Sequence, residues 1–263
     1  MAQAVKKIYD WGILGCGWLG SAWAFRCQQV KKTAWGTARR PEALAQLKTI
    51  GIDPIAFDSQ NQLPSSWPPC QYLLVALPPS AGTHAFELAA KMAKASKWSI
   101  LISSTSVYPD NDGLYKEGDA VRRVSPHSGA CLLDLETLFD SQTTTIIRAG
   151  GLFGPGRHPG GFLRNRPLSR PTDPVNVVHI DDVIGAIEYT SHNTLSGAFN
   201  LAAPELISRA EFYSAAGAIP PTEESDPRAQ GRRVLSDRIT KHGYRFLHPN
   251  AAQAASEMTQ FNP

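Results

Sequence analysis

Three glycines near the N-terminus constrain the fold of this chain more than any other feature. They belong to the run Gly15-Cys16-Gly17-Trp18-Leu19-Gly20, which follows an apolar segment and opens a helix-like one. In such a place the first glycine permits a tight turn, the second lets a pyrophosphate approach the backbone, and the third lets the helix pack closely on the strand. The amides at the helix N-terminus would face the phosphates. The run therefore predicts a dinucleotide-binding turn made by all six residues, the alternative being a glycine turn without a ligand.

Apolar segments alternate with helix-like segments through the first 150 residues. Strands are predicted at 8–14, 33–38, 53–57, 71–77, 98–103 and 143–148. Helices are predicted at 18–30, 41–50, 82–95 and 126–140. This alternation is typical of an α/β fold with βα units, and it predicts a Rossmann-type, doubly wound parallel sheet.

The alternation breaks off after residue 150. Residues 151–174 are rich in Gly, Pro and Arg and are predicted to form a loop, whereas 175–180 resume the pattern as a strand, followed by a helix with Asp181 as its N-cap. Another strand is predicted at 197–201. We therefore expect a cofactor domain and a small C-terminal substrate lobe. The domain takes 1–150 with 175–202 returning to it, and the lobe takes 151–174 and 203–263.

The composition excludes several classes of protein. Hydrophobic residues make up 42% of the 263 residues and charged residues 19%, which is typical of a globular chain, and a net charge of +3 is too small to indicate nucleic-acid binding. The four cysteines form neither a CxxC pair nor zinc-ligand spacing, and no apolar run approaches the length of about 18 residues that a membrane span needs. We expect a cytoplasmic protein that binds a small-molecule substrate, no nucleic acid, no metal and no membrane; a homodimer is left open.

The residues after the second predicted strand bear on the choice of nucleotide. NAD sites usually carry an acidic residue about 20 residues beyond the glycines, but no Asp or Glu lies between Ser21 and Pro41. Arg39 and Arg40 lie there instead, and a guanidinium can bind a 2′-phosphate through two hydrogen bonds. We therefore expect NADP in preference to NAD, the alternative being a solvated surface pair. Asp58, after the third strand, is expected to accept a hydrogen bond from the adenine amino group or to be an ordinary turn residue.

Three later segments carry a family resemblance. They are Ser103-Ser104-Thr105-Ser106-Val107-Tyr108, the stretch from Arg148 to Arg157, and Val178-His179-Ile180-Asp181-Asp182-Val183. With the glycine turn, they make the chain resemble the extended short-chain dehydrogenase/reductases, the NAD(P)-dependent epimerase/dehydratase group, although Leu14 occupies the position of that family's first glycine. The resemblance implies a structural role for His179 at a strand-to-helix corner. It also implies that the cofactor is lined by Leu77, Pro78, Pro79 and Ser103.

The chain lacks the residue pair on which the family's chemistry rests. That pair is a Tyr and a Lys four residues apart, in which the Lys lowers the pKa of the Tyr, and none of the seven tyrosines here has such a lysine. Glu136 matches a glutamate that follows the Lys in the family, which puts Leu132 in the Lys position and Ser128 in the Tyr position. Ser104 matches the family's catalytic Ser/Thr, or it satisfies a backbone group at the strand end. Tyr108 is a substitute proton donor or a packing residue.

A basic segment follows the sixth predicted strand. No acidic residue lies between Gly150 and Thr172, and the basic side chains there are Arg157, His158, Arg164, Arg166 and Arg170. In the resembling family this segment borders the substrate, and guanidinium groups suit phosphate or carboxylate, so Arg157, His158 and Arg166 are candidate substrate ligands unless the loop is simply solvated. The sequence favours an NADP-dependent oxidoreductase or epimerase-type enzyme acting on a small, anionic substrate. Its rival is a catalytically inactive NADP(H)-binding sensor or regulatory protein.

Overall fold

The computed structural model describes residues 7–58, 66–125, 130–163, 167–218 and 231–259. The strands in this part of the chain are β1 (Tyr9–Leu14), β2 (Ala34–Ala38), β3 (Asp53–Ala56), β4 (Cys70–Val75), β5 (Trp98–Ser104), β6 (Gly113–Tyr115), β7 (Thr144–Ala149), β8 (Gly151–Phe153), β9 (Val177–His179), β10 (Gly197–Leu201) and β11 (Arg232–Val234). The helices are α1 (Trp18–Gln29), α2 (Pro41–Thr49), α3 (Thr83–Lys94), α4 (Leu132–Glu136), α5 (Gly160–Leu163), α6 (Ile180–His192), α7 (Arg209–Ala215), α8 (Asp237–Lys241) and α9 (Ala251–Thr259). No described helix is both long enough and apolar enough to cross a bilayer.

Seven of the strands form one sheet, in the order β10-β7-β5-β4-β1-β2-β3. β1 pairs in parallel with both β2 and β4, β2 pairs with β3, and β4 pairs with β5. The chain runs outward from β1 to β3 and then returns to β4 on the other side of β1. This reversal makes the carboxyl ends of β1 and β4 the switch point at which such sheets bind ligands. The predicted α/β fold with a Rossmann-type, mostly parallel sheet is confirmed.

The strands and helices of the first half lie close to their predicted positions because each is marked by a local sequence pattern. All five residues of β2 are buried, as expected for a parallel strand covered on both faces. Pro41 is the first residue of α2, where its missing N–H costs no hydrogen bond. The helix predicted at 126–140 is seen only over Leu132–Glu136, and 126–129 lie outside the described residues.

The predicted N-cap at Asp181 is wrong. α6 begins at Ile180, so Asp181 lies inside its first turn. His179, the last residue before α6, provides the acceptor instead. Its Nδ1 accepts a hydrogen bond of 3.3 Å from the backbone N–H of Asp181. His179 is buried and satisfied in this way, which agrees with its expected structural role.

The chain divides into two compact units. The first comprises Met1–Ser103, Arg122–Ile147 and Ile187–Ala198, and the second comprises Ser104–Val121, Arg148–Ala186 and Phe199–Pro263. In the core of the first unit the indole of Trp11 packs edge-on against Trp23 at 4.7 Å and stacks on Tyr72 at 5.1 Å. Gly12 has no side chain because the ring of Trp35 lies 2.3 Å from the point that a Cβ would occupy.

The second unit has its own apolar core. Phe153 of β8 and Phe212 of α7 are fully buried, and their rings meet edge to face at 5.2 Å. Ala251, Ala254 and Ala255 of α9 belong to the same cluster, which leaves the helix close enough to pack on α7. Two short parallel pairs, β8 with β9 and β6 with β11, complete this unit.

Candidate functional site

The glycine run forms a tight turn from β1 into α1, and each glycine has a separate reason to be there. Gly15 has φ +94°, and a Cβ on it would lie 2.8 Å from the carbonyl oxygen of Ala76. A Cβ on Gly20 would lie 2.2 Å from the carbonyl oxygen of Gly15, so α1 can approach the turn only without it. A Cβ on Gly17 would meet no atom within 4 Å. The turn and the close packing thus explain Gly15 and Gly20, whereas Gly17 leaves open space at the start of α1.

Thr37 of β2 holds this turn in place. Its side-chain oxygen accepts a hydrogen bond of 2.8 Å from the N–H of Gly15, and its carbonyl oxygen accepts one of 2.7 Å from the N–H of Cys16. Thr37 is buried, with 1% of its surface exposed. Sequence reasoning did not single it out, since only the register between β1 and β2 brings it to the turn.

Cys16 contributes its packing rather than its reactivity. Its side chain is buried, and its sulfur lies 2.6 Å from the point that a Cβ on Gly36 would occupy. Burial raises the pKa of the thiol to about 12. The N–H of Cys16 is not available to an anion, because it already donates to Thr37. The available amides are those of the first turn of α1, before the hydrogen bond from the N–H of Ser21 to the carbonyl oxygen of Gly17.

A cavity of about 320 Å³ lies in the first unit at the carboxyl ends of β1, β2 and β4. The predicted cofactor residues that line it are Gly15, Cys16, Gly17, Arg39, Arg40, Asp58, Leu77 and Pro78. Those that do not line it are Trp18, Leu19, Gly20, Pro79 and Ser103. Residues that the sequence did not single out as cofactor ligands also line it, among them Thr37, Ala43, Phe57 and Ala81. The cavity is therefore built where the strand order predicts a ligand.

The charge of this cavity is positive at the end of β2. Arg39 and Arg40 are exposed, and no described carboxylate forms an ion pair with either. Asp58 is the single acidic residue among those that line the cavity in the described part of the chain. Arg40 is also the N-cap residue of α2, which fixes its backbone at the rim. The arrangement can bind an anionic group that enters beside β2.

Ser103 and Ser104 end β5, and both hydroxyl groups are engaged. Ser103 Oγ donates a hydrogen bond of 2.6 Å to Oε1 of the buried Glu136. Ser104 Oγ accepts from the N–H of Ser106 at 3.1 Å and donates to the Ser106 hydroxyl at the same distance. Of the two roles expected for Ser104, this geometry is the structural one: its hydroxyl satisfies a backbone group at the strand end. Ser104 as a whole is half-buried.

Tyr108 is a buried structural residue, which opposes the prediction of a substitute proton donor. Its side chain has 0% exposure, and its hydroxyl donates to Asn200 Oδ1 at 2.6 Å and accepts from Arg148 Nη1 at 3.1 Å. Burial raises the pKa of the phenol above its ordinary value, even though Arg148 acts to lower it. A phenol closed in by packing and held protonated by burial cannot exchange a proton with a substrate, so the packing role is the one that the geometry favours.

Tyr108 belongs to a polar network that sequence reasoning missed. Arg148 Nη1 also donates to the carbonyl oxygen of Glu117 at 2.8 Å, and Glu117 Oε1 accepts from the N–H of Asn200 at 2.9 Å. Asn200 Nδ2 donates to the carbonyl oxygen of Leu235 at 3.1 Å. These contacts join four segments of the second unit, and the satisfied groups offset the cost of burying them.

The position of the family's Lys is occupied by an apolar residue. Leu132 is 5% exposed at the start of α4, and Glu136, which sets the register, lies one turn further on. Ser128, at the Tyr position, lies outside the described residues. Leu132 cannot hold a ribose or shift the pKa of a neighbouring group.

The structure describes two of the three candidate substrate ligands, Arg157 and His158. Arg157 is exposed beside the ring of Phe162, and His158 Nδ1 accepts a hydrogen bond of 3.2 Å from the N–H of Gly160. Arg170 is paired with two carboxylates, those of Asp112 and Asp173. Arg164 and Arg166 lie outside the described residues. A cavity of about 470 Å³ in the second unit is lined by other residues, among them Thr172, Ser208, Glu211 and Arg233.

Comparison of the sequence with known proteins gives relatives that match only part of this chain. No family model matches the chain. Protein YeeZ of Escherichia coli K12 is 34% identical over 161 residues, which are 57% of this chain and 58% of that protein. The chain thus spans less than two thirds of the length of the curated relatives that it matches.

Solved structures resemble the whole chain. A conserved protein of unknown function from Silicibacter pomeroyi has a TM-score of 0.75 at 20% identity, covering 96% of this chain and 98% of its own. The NAD-dependent NDP-hexosamine 5,6-dehydratase TunA of tunicamycin biosynthesis has a TM-score of 0.73 at 12% identity, covering 97% and 99%. UDP-glucose 4-epimerase from Thermotoga maritima has a TM-score of 0.68 at 13% identity, covering 95% and 98%. The suspected resemblance is confirmed at the level of the fold: this chain has the Rossmann-type fold of the NAD-dependent epimerases and dehydratases.

Proposed function

We propose that this protein binds NADP(H) in the cavity at the end of β1 and acts as an oxidoreductase or epimerase-type enzyme on a small, anionic substrate. One observation supports the nucleotide above all. The cavity at the switch point of the sheet carries Arg39 and Arg40 at the end of β2, where an NAD site would carry a carboxylate. Neither arginine is neutralised by a described carboxylate.

The residues around the cavity fit a dinucleotide. Gly17 leaves open space where a pyrophosphate would approach the backbone, and the first turn of α1 offers amides and the positive end of the helix dipole. The first turn of α1 carries no acidic residue that would oppose a phosphate. The planar guanidinium of Arg39 or Arg40 would bind the 2′-phosphate that distinguishes NADP from NAD.

When bound, the nicotinamide ring supplies or accepts a hydride. The chain's own part in the reaction is to bind and orient, because it lacks a Tyr and Lys four residues apart and has Leu132 at the Lys position. Ser104 would hydrogen-bond a substrate oxygen after turning away from Ser106. The proton would come from water or from a group of the substrate, and Arg157, His158 and Arg166 would hold an anionic substrate group.

Nucleotide preference is the direct test. We expect the wild-type chain to bind NADPH at least about tenfold more tightly than NADH, since a bidentate arginine contact to phosphate is among the stronger hydrogen-bonded pairs. The double variant Arg39→Ala with Arg40→Ala should lose that preference and leave NADH affinity nearly unchanged. Lys48→Ala, an exposed cation at the far end of α2, is the matched control and should change neither constant. Tighter binding of NADH than of NADPH by the wild type would overturn the proposal.

The rival function is NADP(H) binding without turnover, as in a sensor or regulatory protein. It is favoured by the burial of Tyr108 and by the hydrogen bonds that already engage Ser104. Oxidation of NADPH should be measured against aldehydes and ketones with and without a phosphate or carboxylate. Turnover that Ser104→Ala reduces at least about tenfold, and that Ser106→Ala reduces less, would support the enzyme. Tight binding with no turnover across the panel would support the sensor.

A further inference from the structure

Two imidazoles and a carboxylate converge at the start of α6, and the proposed function uses none of the three. Nδ1 of His179 and Nε2 of His248 each lie 3.5 Å from Oδ2 of Asp181. These three atoms all lie within 4.8 Å of one another, and the two rings have their centroids 4.2 Å apart. All three residues belong to the second unit. The cluster is thus internal to one compact body.

The neighbouring Asp182 holds the backbone at His248 in place. Its side chain is fully buried, and its two oxygens accept hydrogen bonds from the N–H of Leu247 at 2.6 Å and of His248 at 3.0 Å. The hydroxyl of Tyr244 donates to the carbonyl oxygen of Asp182 at 2.8 Å. The segment that carries His248 is therefore fixed against α6 by contacts that do not involve the imidazole. The cluster is preorganised, as metal sites are when outer hydrogen bonds position their ligands.

The three side chains of the cluster differ in their exposure to solvent. The side chain of His179 is 7% exposed and packs edge-on against Phe153 at 5.2 Å, whereas the side chains of His248 and Asp181 are 24% and 52% exposed. Gly154 has no side chain beside His179, and a Cβ there would lie 3.4 Å from Nε2 of that ring. A buried ligand on one side and exposed ligands on the other give an ion a path from solvent.

We propose that His179, Asp181 and His248 form a binding site for a divalent transition metal of the zinc class. Ligands about 2.0–2.2 Å from a tetrahedral ion are separated from each other by about 3.4 Å, which matches the two distances of 3.5 Å from the carboxylate. Two imidazoles and one carboxylate suit Zn²⁺, Co²⁺ or Ni²⁺, whereas Ca²⁺ and Mg²⁺ take mostly oxygen ligands. The ion would replace the hydrogen bond of 3.3 Å between Asp181 N–H and His179 Nδ1.

Such an ion would connect two parts of the second unit. His179 ends β9 and Asp181 lies in the first turn of α6, whereas His248 lies in the segment between α8 and α9. Binding to the folded chain alone would stabilise it by mass action. Three protein ligands leave at least one coordination position for water or an added ligand, as in zinc sites that are not purely structural.

The test uses this chain without a tag, treated with a chelator and dialysed. Addition of Co²⁺ should give the visible absorption of a low-coordinate cobalt site, saturating at one ion per chain, and Zn²⁺ should bleach it by displacement. His248→Ala and Asp181→Asn should each weaken binding at least about tenfold, since each removes one of three ligands. His84→Ala is the matched control, because His84 also faces a carboxylate, that of Glu87 at 3.8 Å, but has no third ligand in the described residues.

Thermal unfolding gives a second readout that does not depend on the cobalt spectrum. Zn²⁺ at about 100 times its dissociation constant for the wild type should raise the melting temperature of the wild type by about 5 °C. The same concentration should raise those of His248→Ala and Asp181→Asn by at most about half as much, because both variants bind at least about tenfold more weakly. Circular dichroism of both variants without metal checks that they fold. Absence of any cobalt spectrum or zinc shift in the wild type, or equal binding by both variants and the wild type, would overturn the site.

Discussion

The backbone N–H of Gly15 donates a hydrogen bond of 2.8 Å to the side-chain oxygen of Thr37. This contact ties the turn after β1 to the end of β2, the two elements that present the glycines and the arginines to the same cavity. Thr37 also accepts from Cys16 through its carbonyl oxygen, so one buried residue sets the position of two consecutive amides. The shape of the nucleotide site depends on this link.

Thr37→Val removes the hydroxyl and keeps the side-chain volume. We expect the free energy of unfolding to fall by about 1–3 kcal/mol, because the N–H of Gly15 loses its partner in a partly buried place. NADPH affinity should fall as well, since the turn is released from β2. Denaturant unfolding and a fluorescence titration measure the two effects. Thr37→Ser keeps the hydroxyl and should lose much less of both; equal losses in the Ser and Val variants would contradict the role of the hydrogen bond.

Gly17 and Gly20 should separate binding from folding. Gly17→Ala adds a methyl group to open space, so we expect nearly wild-type stability and at least about tenfold weaker NADPH binding. Gly20→Ala places a methyl carbon 2.2 Å from the carbonyl oxygen of Gly15, so we expect a loss of several kcal/mol in the free energy of unfolding. Thermal melts and nucleotide titrations of both variants make the comparison.

The control for that pair is Gly118→Ala. A Cβ on Gly118 also meets no atom within 4 Å, but the residue does not line the nucleotide cavity. It should therefore leave NADPH affinity unchanged. If Gly17→Ala binds NADPH as tightly as Gly118→Ala does, the open space at the start of α1 does not receive the phosphates.

The sequence predicted the elements of the sheet well, because their patterns are local. β2 is a wholly buried run bounded by charged residues, and α2 begins with a proline in its first position. The helix predicted to reach residue 140 ends at Glu136, since turn hydrogen bonds take over there. The Asp140 side chain accepts from the N–H of Gln142 at 2.9 Å, a local contact that competes with helix and that apolar spacing does not reveal.

The candidate site was less predictable where it depends on distant partners. The glycine turn could be recognised because its residues are consecutive. The role of Thr37 depends instead on the register between β1 and β2, which brings it to Gly15, 22 residues away in sequence. Likewise, the burial of Tyr108 depends on Asn200, which lies 92 residues further along the chain. A strand-end tyrosine looks the same in sequence whether its hydroxyl faces a substrate or an asparagine.

Tyr108→Phe tests the structural assignment of that residue. We expect the free energy of unfolding to fall by about 1–2 kcal/mol, because Asn200 Oδ1 loses the donor of its 2.6 Å hydrogen bond in a buried place. NADPH affinity should stay within about twofold of the wild type. Tyr72→Phe is the matched control, since its ring stacks on Trp11 and no described residue bonds its hydroxyl. Unchanged stability of Tyr108→Phe would show that the network does not stabilise the fold.

Buried thiols should make the fold sensitive to alkali. Burial raises the pKa of both Cys16 and Cys27 from 9.0 to about 12, so these thiols ionise first in the unfolded chain. Their contribution to stability is present below pH 9 and is lost as the pH rises towards 12. Between pH 8 and pH 10, each thiol should lower the free energy of unfolding by about 1 kcal/mol. Denaturant unfolding in the presence of a reductant measures this difference.

Cys27→Ala isolates one thiol from the rest of the chain's titration. Its loss of stability between pH 8 and pH 10 should be smaller than that of the wild type by about 1 kcal/mol, although a cavity makes the variant less stable at neutral pH. Ile100→Val is the control, because it also removes buried volume but no titratable group. It should be less stable than the wild type at every pH and lose the same amount between the two. If Cys27→Ala loses as much as Ile100→Val does, the Cys27 thiol does not account for alkaline unfolding.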